Sequence, residues 1–98
     1  MSLKVLVVDD EEMTRNLLRL MLSRSNFTVL EAGGGYAALE MIQEHRPDLV
    51  ILDLMMPDLD GFSVCERVRA QAEFADMPIF ILSARADQET IARGLILG

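Results

Sequence analysis

Four polar residues in this 98-residue chain each follow directly on an aliphatic run. Asp9 and Asp10 come after Val5-Leu6-Val7-Val8, Asp53 after Leu49-Val50-Ile51-Leu52, and Ser83 after Ile79-Phe80-Ile81-Leu82. An acid that ends a fully apolar segment has no structural reason to be there without a partner. Carboxylates gathered at one place repel one another, so that one of them takes up a proton or the group holds a cation. Oxygen ligands with no cysteine or nearby histidine favour a hard ion, and a few carboxylates in an open, wet cleft suit Mg2+. A spare carboxylate beside such an ion can attack phosphorus as a nucleophile while the metal offsets charge on the phosphoryl oxygens. Ser83 is then placed to hydrogen-bond one of those oxygens.

For these residues to meet, the elements that carry them must end at one rim. Lys4 to Val8 is a continuous aliphatic run, as expected of a strand buried on both faces. After Asp9-Asp10-Glu11-Glu12 a helical pattern sets Met13, Leu17, Leu20 and Met21 on one face and closes at Ser25-Asn26. Phe27 to Ala32 reads as a strand nearer the sheet edge. Gly33-Gly34-Gly35 breaks the chain, and Ala38, Leu39 and Ile42 carry a second helix up to Arg46-Pro47. Leu49 to Leu52 is another fully apolar strand, and a loop with Pro57 and Gly61 leads to a helix with Val64, Cys65 and Val68 inward. Pro78 to Leu82 is a fourth strand, and Asp87 can cap a last helix through Ile91 and Leu95. This alternation predicts an α/β fold, a doubly wound parallel sheet with helices on both faces. In such sheets ligands sit at the carboxyl ends of the strands, near the point where strand order reverses. With the order 2-1-3-4, the first and third strands are neighbours, and Asp9, Asp10 and Asp53 converge with Ser83 beside them.

Composition narrows the classes. The chain carries 9 Lys plus Arg against 16 Asp plus Glu, a formal net charge of −7, and its isoelectric point is near 4.5. A surface that negative repels phosphate backbones, so direct nucleic-acid binding is not expected. The single cysteine, Cys65, excludes an intramolecular disulfide and fits a reducing cytoplasm. Apolar runs reach only about five residues, against the roughly 20 that a membrane span needs. At 98 residues one domain is expected, residues 1–98.

The motifs resemble those of the receiver domain of two-component response regulators. The resemblance rests on the acidic pair after the first strand, on Asp53-Leu54-Met55-Met56-Pro57-Asp58-Leu59-Asp60-Gly61, and on Ser83-Ala84 ending the fourth strand. It implies a flavodoxin-like order 2-1-3-4, with Asp53 as phosphoacceptor and Mg2+ as cofactor. Asp10 would bind the ion directly, Asp9 mainly through water, and the backbone carbonyl of Met55 would complete the protein ligands. Ser83 would take the hydroxyl position that binds the phosphoryl group and shifts on activation. Met55, Ala84 and Arg85 fall where the family tunes the lifetime of the phosphate. The implied donor is a sensor histidine kinase or a histidine phosphotransfer protein, and the domain is a self-phosphorylating acceptor rather than a turnover enzyme. The family's fifth strand, with its lysine and aromatic switch residue, and its fifth helix have no counterpart before Gly98, so residues 1–98 are expected to be a C-terminally incomplete receiver-like domain. The one lysine, Lys4, opens the first strand at the opposite end of the sheet. An unpaired fourth strand would offer an edge for a homodimer.

Plainer readings compete with parts of this. Asp9 to Glu12 can simply cap a helix and complement its dipole. Gly33-Gly34-Gly35 lacks the G-x-G-x-x-G spacing and a following lysine, and reads as a flexible turn. His45 reads as a solvated residue near a helix end, Cys65 as core, and most of the seven methionines as packing. At the level of function, the alternative to a phosphoacceptor switch is a receiver-like module for interaction or dimerisation that works without phosphate. An aspartyl-phosphate phosphohydrolase like the haloacid dehalogenase group wants an Asp two residues past the nucleophile, and Met55 stands there. A flavin is disfavoured because the first loop is acidic where a flavin phosphate needs donors.

Overall fold

The structure, a computed structural model, describes residues 2–82. Strand and helix alternate: β1 (Lys4–Val8), α1 (Glu12–Ser23), β2 (Thr28–Ala32), α2 (Gly35–His45), β3 (Leu49–Asp53), α3 (Gly61–Arg69), a 3-10 turn (Ala72–Phe74) and β4 (Ile79–Leu82). The helix expected after Asp87 lies outside the described residues. All strand pairs are parallel and the order is β2-β1-β3-β4. Strand order therefore reverses between β1 and β3, as the doubly wound reading requires.

Register assigns the strand residues to two faces. Leu6 pairs with Leu30 and Val50, and Val8 with Ala32 and Leu52. This set points into a core closed by Ala38 and Ile42 of α2 and by Val64, Cys65 and Val68 of α3. The inward positions expected on those two helices are therefore the observed ones. Burial pushes the Cys65 thiol up to about 11, which suits an inert core residue. Val5 and Val7 point the other way and are fully covered on the side where α1 packs on β1 and β2.

On that second face the sequence expectation needs correcting. Met13, Leu17, Leu20 and Met21 lie on one side of α1, but they are 58–83% exposed, and no residue of α1 is buried. The half-covered positions are Thr14, Arg15, Asn16, Leu18 and Leu22. The helix turns that stripe to β1 and β2, and the longer apolar stripe is rotated off the sheet. Phe80 and Leu82 share this face, through the register Ile51 with Phe80 and Asp53 with Leu82. Both are exposed. Among the described residues, α1 thus covers the β1–β2 half of the face and leaves the β4 side open.

The two rims of the sheet differ in chemistry. At the amino end of β1, the Lys4 backbone N–H donates to Asp48 Oδ2 at 2.7 Å and its Nζ donates to the His45 carbonyl at 2.7 Å. Lys4 thus ties β1 to the α2–β3 connection. At that connection Arg46 adopts φ 47°, the left-handed conformation that ends many helices, and its N–H donates to the Ile42 carbonyl at 3.0 Å. The carboxyl ends of β1 and β3 carry the acids.

Candidate functional site

Asp9 and Asp10 leave the end of β1 side by side, and Asp53 is the last residue of the adjacent β3. Carboxylate oxygens of all three lie within 4.8 Å of one another. The convergence expected from strand order is therefore observed, over residues more than forty apart in the chain. None of the ion pairs among the described residues involves these three acids.

Each acid is held differently. Asp9 is buried, and its Oδ1 accepts from the Glu11 N–H at 2.9 Å. Asp10 is exposed and Asp53 half-buried. Asp53 Oδ1 accepts from the Met55 N–H at 3.2 Å. Burial, with added repulsion from Asp9 and Asp10, raises the Asp53 carboxyl above its ordinary value of 3.8, and the Met55 N–H partly opposes this. The plainer reading of the acidic run holds in one part: α1 begins behind Glu11 with no side-chain cap, but Glu12 stands in its first turn, where an acid complements the dipole.

The loop after Asp53 is built on close approach. Leu54 and Met56 are buried while Met55 between them is half exposed. The Gly61 N–H donates to the Leu54 carbonyl at 3.1 Å. A Cβ on Gly61 would stand 2.5 Å from the Asp53 carbonyl oxygen, so only glycine lets α3 start this near the acid. Asp60 caps α3, accepting from the Ser63 N–H at 2.9 Å and from its hydroxyl at 3.1 Å. Asp10, Leu54, Met55, Met56, Pro57 and Asp60 line a cleft beside the acids.

Sequence reasoning missed Arg15. Its Nη1 donates to the Asp9 carbonyl at 2.7 Å, and its Nε lies 3.4 Å from Glu31 Oε1. The guanidinium therefore joins α1, the end of β1 and β2 just behind the acids. Its place on α1, one turn past the acidic pair, was the only available signal. Ser83, Ala84 and Arg85 lie outside the described residues.

Residues 5–98 match the family model of the response regulator receiver domain. The chain belongs to that family. It is 45% identical over all 98 residues to response regulator MprA of Mycobacterium ulcerans (strain Agy99), covering 41% of that protein. It is 42% identical over 95 residues, 97% of the chain, to a probable transcriptional regulator ycf27 of Porphyridium aerugineum, covering 38% of it. The receiver chain thus spans about two fifths of the length of the curated relatives it matches. Among solved structures, a putative response regulator from Chloroflexus aurantiacus J-10-fl superposes with a TM-score of 0.94 at 32% identity, over 100% of this chain and 80% of that one. Chemotaxis protein CheY4 of Vibrio cholerae gives 0.93 at 32% identity, over 100% and 82%. The flavodoxin-like receiver fold is therefore established along with the family.

The raised Asp53 carboxyl has a measurable consequence. The folded receiver holds that proton more tightly than the unfolded chain, so ionised Asp53 costs stability above its native pKa and nothing below 3.8. Asp53→Asn, which keeps an acceptor for the Met55 N–H, should be more stable than wild type at pH 7 in metal-free urea titrations, with the gap closing as the pH falls toward 3.8. Equal or lower stability of the variant at pH 7 would contradict the assigned cost of burying Asp53 beside Asp9 and Asp10.

Proposed function

We propose that this chain is the phosphoacceptor switch of a two-component response regulator, taking a phosphoryl group from a phosphohistidine donor onto Asp53 with Mg2+. The observation that carries the reading is the meeting of Asp9, Asp10 and Asp53 with no cation of the protein paired to them among the described residues. Family membership supports it. An all-oxygen acidic donor set fits a hard divalent ion. Asp10 and Asp53 would bind it directly, Asp9 mainly through water, and the Met55 carbonyl would complete the set. When bound, the ion offsets charge on the phosphoryl oxygens.

The residues divide the remaining work. A carboxylate oxygen of Asp53 attacks phosphorus, the P–N bond to the donor imidazole breaks, and the departing nitrogen keeps the electron pair and takes up a proton. The Met55 N–H holds Oδ1 and so orients the carboxylate. The donor in this reading is a sensor histidine kinase or a histidine phosphotransfer protein, and the chain works as an acceptor rather than a turnover enzyme. A cytoplasmic setting fits the single buried cysteine and the donor class. Among the described residues no helix is long and apolar enough to cross a membrane.

The exposed Phe80 and Leu82 on β4, which pairs only with β3 among the described residues, favour a second copy of this chain as a further partner. Light scattering should show mass rising with concentration, and Phe80→Glu should suppress the rise. A wild-type monomer at every concentration contradicts the dimer alone.

Incubation with radiolabelled acetyl phosphate tests the main reading. Label should enter the wild type, fall to background on chelation with EDTA, and fall to background in Asp53→Asn. In melting experiments Mg2+ at 100 times its Kd should stabilise the wild type by about 2.7 kcal/mol, and Asp10→Asn should lose most of that gain. Undiminished labelling of Asp53→Asn would overturn the acceptor assignment. Absence of labelling and of any response to Mg2+ in the wild type would favour an interaction module that works without phosphate.

A further inference from the structure

The glycine run at the head of α2 and the acid in the middle of the loop after Asp53 have no part in the chemistry above, yet the structure brings them together. Asp58 Oδ1 accepts from the Gly35 N–H at 3.0 Å, and its Oδ2 accepts from the Tyr36 N–H at 3.2 Å. These are the first two amides of α2, whose own N-cap residue, Gly34, supplies no side-chain cap. One carboxylate, 22 residues along the chain, therefore caps the helix at two points.

The glycines are there for this contact rather than for flexibility. Neither Gly34 nor Gly35 has a positive φ. A Cβ on Gly34 would lie 2.9 Å from both Asp58 carboxylate oxygens, and a Cβ on Gly35 would lie 2.4 Å from the Leu59 carbonyl oxygen. At Gly35, which meets backbone, only a residue without a side chain lets the loop settle on the helix end, whereas a side chain at Gly34 would push the Asp58 carboxylate off its place. The two N–H donors hold the Asp58 carboxyl below its ordinary range.

The geometry points to Asp58 as a positioning residue: its two-point attachment to α2 sets where the loop holds the Met55 carbonyl relative to Asp53 and Asp10. Among the described residues the loop's other hydrogen bonds lie near its ends, the Met55 N–H on Asp53 and the Gly61 N–H on the Leu54 carbonyl on one side, and Asp60 on Ser63 on the other. Between them, Met56 is anchored in the core while Met55 and Pro57 on either side are exposed, and the Asp58 attachment limits how the exposed backbone turns about that anchor. Pro57 stiffens the step from Met56 to Asp58, and a displacement at Asp58 is passed back to Met55. The inference rests on the reading of the acids as a Mg2+ centre.

Two readouts on the full chain test it: Mg2+ affinity by titration calorimetry, and hydrogen exchange at the Gly35 and Tyr36 amides without metal. Asp58→Ala should deprotect both amides and weaken Mg2+ binding three- to tenfold. Asp58→Asn, which keeps one accepting oxygen, should fall between it and the wild type. Lost protection with unchanged Mg2+ affinity would make Asp58 a helix cap and no more, and would overturn the inference, as would no change in either readout. An Asp58→Asn variant as weak as Asp58→Ala would assign the effect to charge rather than position, and unfolding of both variants would make Asp58 a determinant of the fold; either also overturns it. A wild type that takes up no Mg2+ brings down the metal reading and this inference with it. A wild type and Asp58→Ala that bind equally bring down this inference alone.

Discussion

Mutual repulsion among three carboxylates is the constraint around which this end of the molecule is arranged. Asp9, Asp10 and Asp53 gather within 4.8 Å at the rim where strand order reverses. Nothing about the acids themselves favours that meeting. The hydrophobic sheet imposes it, since Val5 to Val8 and Val50 and Leu52 bury almost completely and carry the acids to their ends. The rest of the local structure limits the cost. Backbone N–H groups from Glu11 and Met55 satisfy one oxygen each of Asp9 and Asp53, and Asp10 stays in water. Burial first, and after it the remaining repulsion from Asp9 and Asp10, is expressed in the raised Asp53 carboxyl. A site left short of positive charge in this way, among the described residues, supports the proposed divalent cation.

Close backbone approach is the second device. Gly61 lets α3 begin against the Asp53 carbonyl, and Gly35 lets α2 begin against the Leu59 carbonyl. The loop between β3 and α3 is thereby pressed between two helix starts, with Asp60 capping one and Asp58 the other. Arg15 plays a comparable part on the opposite side, joining the Asp9 carbonyl to Glu31 of β2.

Most of this plan was legible in the sequence, for physical reasons. Strands apolar on both faces in β1 and β3 announce a covered parallel sheet, and an acid ending such a strand announces a site. The inward faces of α2 and α3 were readable because Ala38, Ile42, Val64, Cys65 and Val68 all bury in one core cluster. The face of α1 was not. Met13, Leu17, Leu20 and Met21 make the longer apolar stripe, whereas the helix lays Arg15, Leu18 and Leu22 toward the sheet, partly because Arg15 is drawn to the Asp9 carbonyl and to Glu31. Periodicity alone cannot see that pull. The glycine run misled for a similar reason: it was read as a flexible turn, yet its role depends on Leu59 and Asp58, more than twenty residues away. The short turn at Ala72–Phe74 left no periodic signal either, because a single 3-10 turn has none to leave.

The central claim is that these three acids share one hard cation. Mn2+ prefers the same oxygen ligands as Mg2+ and scatters anomalously. Crystals of the chain grown with Mn2+ should give one dominant anomalous peak, in contact with carboxylate oxygens of Asp10 and Asp53. A peak elsewhere, or an empty map at this rim under saturating Mn2+, would contradict the account.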